Sequence, residues 1–168
     1  MDVGCNGEST GSYVVEGFGG NSSNYNFTDG VTANTDGVFT MLAVGNYMVT
    51  ISEQENPNCV SFCLLEITEP EVLTCTAVLV ADVSCNGGSD GSASVTPLGG
   101  TAPYVYNWDN GETTATAVSL NATAHVVTVT DANGCVTTCD VLVNENPLLS
   151  CSVAVTEAIL CTLSLIHI

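Results

Sequence analysis

From residue 72 onward, short runs rich in Val, Thr and Tyr alternate apolar with polar side chains and are cut at roughly ten-residue spacing by Gly, Asn, Asp and Pro. The runs predict strands over Thr76–Val83, Gly91–Leu98, Tyr104–Trp108, Thr113–Leu120, Ala124–Thr130 and Cys135–Val143. Between them lie Asn86-Gly87-Gly88, Gly99 to Pro103, Asp109-Asn110-Gly111 and Asp131 to Gly134, residues that tolerate positive φ or preset a turn. No helical period is visible. A period of two puts Tyr104, Tyr106 and Trp108 on one face, as it does His125, Val127 and Val129, and Cys135, Cys139, Val141 and Val143. Trp108 is the expected core anchor, with Tyr106 beside it. Phe27 is expected to replace Trp108 in the first half of the chain, and Tyr47 to serve as a structural tyrosine there. Six or seven such strands in about 75 residues fit an all-β, immunoglobulin-like sandwich.

The pattern occurs more than once. From Asp2 to Gly20 and from Asp82 to Gly100 the chain shares 11 of 19 residues without a gap, including CNGESTGSYVV against CNGGSDGSASV. A repeat of about eighty residues is therefore the organising unit. Cysteines mark its frame: Cys75, Cys85, Cys135 and Cys139 make one full set, flanked by Cys5, Cys59 and Cys63 on one side and Cys151 and Cys161 on the other. Residues 1–71 are then a first repeat lacking its leading strand, 72–147 a complete repeat, and 148–162 the start of a third. Residues 163–168, LSLIHI, match one frame of a sequencing adapter and are expected not to be biological. A membrane anchor over 148–168 is the rival reading. Glu157 in its middle and the alignment of Leu149–Cys161 with Leu73–Cys85 favour a repeat strand.

Composition narrows the function classes. Eighteen Asp and Glu with no Lys or Arg give a formal charge of −18, which excludes nucleic acid as a partner and argues against anionic membrane surfaces. It also removes every lysine or arginine role in catalysis. Nine cysteines at repeated spacing point to disulfides made in an oxidising, extracellular compartment. The disulfide candidates are Cys5, Cys59, Cys75, Cys85, Cys135 and Cys139, and spacing alone leaves the pairing of each set of four open.

Candidate chemistry is thin. His125 aligns with Tyr47 and is expected to fill a structural place, while His167 lies in the suspect tail, so no Ser-His-Asp or Cys-His set can be assembled. Cys59/Cys63 and Cys135/Cys139 resemble zinc-ligand pairs, with Cys75 and Cys85 as the completing pair, but disulfides are the favoured reading. Asp90, Asp109, Glu112 and Asp131 are weak Ca²⁺ candidates in turns that lack the regular oxygen spacing of a loop site. No cofactor is expected. The patterns at Asn21, Asn26 and Asn121 fit N-glycosylation acceptors and arise readily by chance in such a composition.

CNGGSDGSASV, GGTAPYVYNW, NGETTATAVSL and VTVTDANGC, in that order, closely resemble the SprB-type repeat of large surface adhesins of gliding Bacteroidota. The likeness spans residues 82–135 and, more loosely, 2–59. It implies repeats strung along a cell-surface protein exported by a type IX-like system. For the cysteines it implies Cys85 with Cys135 and Cys5 with Cys59, leaving Cys75 with Cys139 as an added clasp. The first half departs from the pattern in lacking the Ala-Pro-Tyr turn. Three functions fit: a non-catalytic structural repeat of an adhesin, whose partners are its neighbouring repeats and an outer glycan or substratum; a glycan- or Ca²⁺-binding module; and accessory repeats of a secreted enzyme.

Overall fold

The computed structural model describes residues 1–154 apart from Ser22, so Cys161, His167 and the tail 163–168 lie outside the described residues. Those residues form twelve strands and no helix. The first six are β1 (Gly11–Val14), β2 (Tyr25–Thr28), β3 (Ala33–Asn34), β4 (Val38–Leu42), β5 (Gly45–Glu53) and β6 (Val60–Ile67). The next six are β7 (Thr74–Ala81), β8 (Gly91–Leu98), β9 (Val105–Trp108), β10 (Thr116–Leu120), β11 (Ala124–Thr130) and β12 (Val136–Leu142). In the second set, the sheets β10-β8-β7 and β12-β11-β9 are both antiparallel. They enclose one core of Trp108, Val83, Val95, Leu120, Val127, Val129 and Val143. In the first set the sheets are β1-β4 and β3-β2-β5-β6, around Phe27, Phe39 and Val49. The chain is thus an all-β sandwich, twice over, with disulfides.

β8 and β11 run where alternation places them, because each buries every second side chain. The leading strand differs: it ends at Ala81, not Val83. Asp82 and Val83 leave the ladder to meet the far end of β12, where Val83 forms a parallel bridge with Glu145. β10 begins at Thr116 rather than Thr113; the carbonyl of Thr114 is turned to the indole N–H of Trp108 instead (2.9 Å).

Trp108 is buried at 1% exposure and Phe27 at 5%, while Tyr47 and Tyr106 are half-buried. The expectation that Phe27 stands in for Trp108 needs correction. Phe27 faces Ile51 on β5 as Tyr106 faces Val129 on β11, so Phe27 is the counterpart of Tyr106. Two residues further on, the place of Trp108 falls to Asp29. The lost indole is offset across the sandwich. Ala93 and Ala117, a cross-strand pair at 0% exposure, become Tyr13 and Phe39, a cross-strand pair whose rings stack at 4.9 Å. One large and two small residues have exchanged for two large and one small, which keeps interior volume near that of a filled core.

The volume argument predicts that Trp108→Ala lowers the unfolding free energy of the chain by about 3–5 kcal/mol in urea denaturation. Ala117→Phe, which adds the large residue without removing the indole, should also destabilise, by about 1–3 kcal/mol. A neutral Ala117→Phe would show that the two cores are not related by compensation.

Candidate functional site

The features shared by the two units lie at their ends. Asp82 Oδ1 accepts the amide of Asn144 (2.8 Å), and Val83 N–H donates to the Asn144 carbonyl (2.8 Å). Asp2 Oδ1 accepts the amide of Thr68 (2.8 Å), and Val3 N–H donates to the Thr68 carbonyl (3.0 Å). Each opening segment is thereby tied to the last strand of its own unit. The turn that follows is clasped as well. Glu145 accepts from Gly87 N–H (2.6 Å) and from the Asn86 side chain (2.7 Å), and Glu69 accepts from Gly7 N–H (2.7 Å). Gly7 and Gly87 both sit at φ 79°, a left-handed conformation that favours glycine. Glu69 and Glu145 escaped the sequence reading, although each follows the second cysteine of its CxxxC pair by six residues.

This clasp fixes where the cysteines can reach. Cys85 is held beside Glu145, past the end of β12, whereas Cys135 precedes the start of β12. Ten extended residues separate those points by about 30 Å. A disulfide needs Cα atoms within about 7 Å. The pairings Cys85 with Cys135 and Cys5 with Cys59 are therefore replaced. Cys5 bonds to Cys135 of the following unit, Cα atoms 5.7 Å apart, and Cys75 bonds to Cys139 with Cα atoms 6.0 Å apart. Asn133 reinforces the first by donating to the Gly4 carbonyl (2.8 Å). Cys59, Cys63, Cys85 and Cys151 are free and exposed. With Cys75, Cys135 and Cys139 committed to disulfides, the zinc set is unavailable.

The four acidic turn residues are occupied by the chain's own donors. Asp90 Oδ1 accepts the amide of Ser84 (3.0 Å). Glu112 takes the amides of Val118 and Ser119 and the Asn110 side chain. Asp131 is 5% exposed; one of its oxygens accepts from Asn133 and Cys135 (both 2.9 Å), the other from Thr101 (2.9 Å). Burial alone would raise the Asp131 carboxyl, but the amides of Thr101, Cys135 and Asn133 outweigh it and hold it below its ordinary value. Asp109 meets Nδ1 of His125 (2.8 Å) and the amide of Val126 (3.0 Å), while Nε2 of His125 lies 3.1 Å from the Asn121 carbonyl. For Asp109 too, burial raises the carboxyl and the bonds from His125 and Val126 more than reverse it. Tyr47, the counterpart of His125 in register, likewise reaches back four residues, to the Ala43 carbonyl (2.9 Å). Among the described residues no three His, Cys, Asp or Glu converge as a metal site would require.

Residues 77–113, within the second unit, match the family model of the SprB repeat. No curated protein matches the chain in sequence. Among solved structures, the C-terminal 282-residue fragment of intimin, in complex with the intimin-binding domain of the translocated intimin receptor, aligns at TM-score 0.42 and 13% identity, over 79% of this chain and 57% of that one. This chain thus spans little more than half the length of that fragment. The fibronectin(III)-like modules of Clostridium thermocellum CbhA align at TM-score 0.29 and 13% identity, over 73% of this chain and 78% of theirs.

Because the folded carboxyl of Asp131 titrates below its unfolded value of about 3.9, its contribution is complete above about pH 4 and is lost as pH falls through the folded value. Melting temperature should therefore drop on acidification below about pH 4, and Asp131→Asn should flatten that drop while lowering stability at neutral pH. Parallel curves for the two proteins would remove Asp131 from the account.

Proposed function

We propose that this chain is a length of a non-catalytic tandem-repeat stalk of a cell-surface adhesin, serving attachment and, in gliding cells, motility. The observation that carries the reading is the recurrence of one closing clasp in both units, joined by a disulfide that runs from one unit to the next. The SprB match of residues 77–113 supports surface display, and a type IX-like system is the export route we propose. We take residues 72–147 as one complete repeat, 1–71 as a repeat lacking its leading strand, and 148–162 as the start of a third. The disulfides act in this reading as staples, with Trp108, Phe27, Tyr47 and Tyr106 as packing residues. The carboxylates Asp90, Asp109, Glu112 and Asp131 are turn acceptors in it. Neighbouring repeats are the immediate partners; a glycan or substratum is met elsewhere on the parent protein.

A stalk works by length and stiffness. Exchanging the repeats of the parent protein for unrelated sandwich modules of equal length should preserve attachment of the source cell to its substratum, whereas removing them without replacement should abolish it. Loss of attachment on equal-length exchange would make the repeats themselves the binding surface.

Charge supplies a second test. Eighteen carboxylates without a Lys or Arg repel one another, and the screening length falls from about 30 Å at 0.01 M salt to about 10 Å at 0.1 M. NaCl should raise the melting temperature smoothly, and CaCl₂ at matched ionic strength should add little. Saturable stabilisation at low Ca²⁺, removed by Asp109→Asn, would favour a binding module instead.

A further inference from the structure

The two sandwiches also differ on an outer face. In the sheet β3-β2-β5-β6, Val60, Phe62 and Leu64 alternate along β6 on the side away from the core and stand 61%, 67% and 74% exposed. Across the ladder Leu64 faces Met48, itself 55% exposed, while Phe62 and Val60 face Thr50 and Ser52. These side chains make one apolar patch on β5 and β6. Asn26 and Thr28 continue the face onto β2. One acid, Glu66, stands at the end of the outward row of β6, in a chain where eighteen of 168 residues are acidic.

The corresponding face of the second unit is broken. Thr138 stands in the place of Phe62 and Asp140 in that of Leu64, so the apolar Val126, Val136 and Leu142 are parted by a hydroxyl and a carboxylate. That face also shows what a neighbouring repeat covers. The first unit joins the second at Cys135, with Asn133 holding the Gly4 carbonyl beside it, yet Val136, Val126 and Leu142 keep 61%, 43% and 59% exposure. A preceding repeat leaves this face open, so the exposure of the patch on β5 and β6 belongs to the unit itself.

We infer that the patch pairs with the same patch of a second copy of the chain, side by side rather than end to end. Four side chains at these exposures offer roughly 500 Å² per copy, within the range of the largest apolar patches on monomers. Two copies face to face then bury about 1,000 Å², the size at which a specific, reversible interface begins. Charge selects the occupant. Without lysine or arginine no acid of one copy finds a cationic side chain of that kind on another, so two copies approach closely only where neither brings a carboxylate. A two-fold axis through the middle of the row sets Phe62 against Phe62 and Leu64 against Val60, and leaves Glu66 at the rim in water. Cys63 lies on the opposite side of β6, so the contact uses no thiol. It rests neither on the stalk reading nor on the disulfide junction.

Sedimentation equilibrium of the disulfide-bonded chain, on samples that run as a single monomer band on a non-reducing gel, tests it. In about 1 M NaCl, where the screening length is about 3 Å, the mass should climb with concentration from one chain to two and stop there. Phe62→Thr combined with Leu64→Asp gives β6 the residues that the second unit carries at those places. It should weaken association at least ~10-fold, with the melting temperature, Cys5–Cys135 and Cys75–Cys139 unchanged. Phe62→Thr alone, which adds no charge, should weaken it in the same direction, and Val136→Asp on the broken face should change nothing. A parent that stays monomeric to near-millimolar concentration, a mass that climbs past two chains, variants on β6 that pair as the parent does, or an equal loss with Val136→Asp would each overturn the inference. A monomeric parent retained on a phenyl resin, with Phe62→Thr not retained, would assign the patch to an apolar partner other than this chain and overturn it as well.

Discussion

A chain with eighteen carboxylates and no lysine or arginine has few ways to satisfy an acidic side chain that leaves water. Among the described residues the donors left are amide N–H groups, hydroxyls, the amino terminus, the indole of Trp108 and the ring of His125. The turns are built on that constraint. Asp29 takes the amides of Val31 and Thr32, Asp90 that of Ser84, Asp131 those of Thr101, Asn133 and Cys135, and Glu145 that of Gly87. A carboxylate bound by amides is a charge-assisted acceptor, stronger than a neutral one. Asp29 fixes two consecutive amides at once, and Asp131 ties Thr101 of one loop to Asn133 and Cys135 of another. The turns of this protein are thus tied down by its acids, and the turns that Glu69 and Glu145 hold are those that carry Cys5 and Cys85.

Aim decides connectivity. Once Glu69 holds the turn of Cys5 at one end of its sandwich, the cysteine cannot reach Cys59 at the other, and the partner within range belongs to the next unit. Cys5–Cys135 closes a separation of 130 residues and Cys75–Cys139 one of 64. Each contributes about 4–5 kcal/mol in the chain-entropy model when taken alone; because the two loops overlap between Cys75 and Cys135, they do not add in full. For sandwiches whose buried clusters hold ten and three hydrophobic residues, that is a large part of the stability.

Much of this was legible in the sequence where a single strand decides the outcome. Period-two alternation puts Trp108, Val127, Val129 and Val141 inside, and they are buried. It fails where two strands must agree. That Asp29 rather than Phe27 stands at the place of Trp108 depends on the register of β2 against β5, and the exchange of Ala93 and Ala117 for Tyr13 and Phe39 depends on what faces that place across the core. The exchange has a cost that no alternation signals: the hydroxyl of Tyr13 is buried without a hydrogen-bond partner, and burial pushes its pKa up to about 12. Cysteine pairing lay further out of reach, since equal spacing within every unit says nothing about which end of a sandwich each thiol faces. The clasping glutamates were visible as a repeated position but not as a role.

The same constraint bears on how units join. Modules that meet at a rim usually have ion pairs to set their register, and without lysine or arginine that means is closed to this chain. Bringing two acidic ends together is instead repulsive at low salt. A covalent bond is indifferent to that repulsion, and a neutral amide such as Asn133 can add direction without adding charge. In the proposed stalk, an acidic surface and a disulfide junction are therefore complementary: the first removes the electrostatic means of joining repeats, and the second needs only two thiols presented at fixed ends.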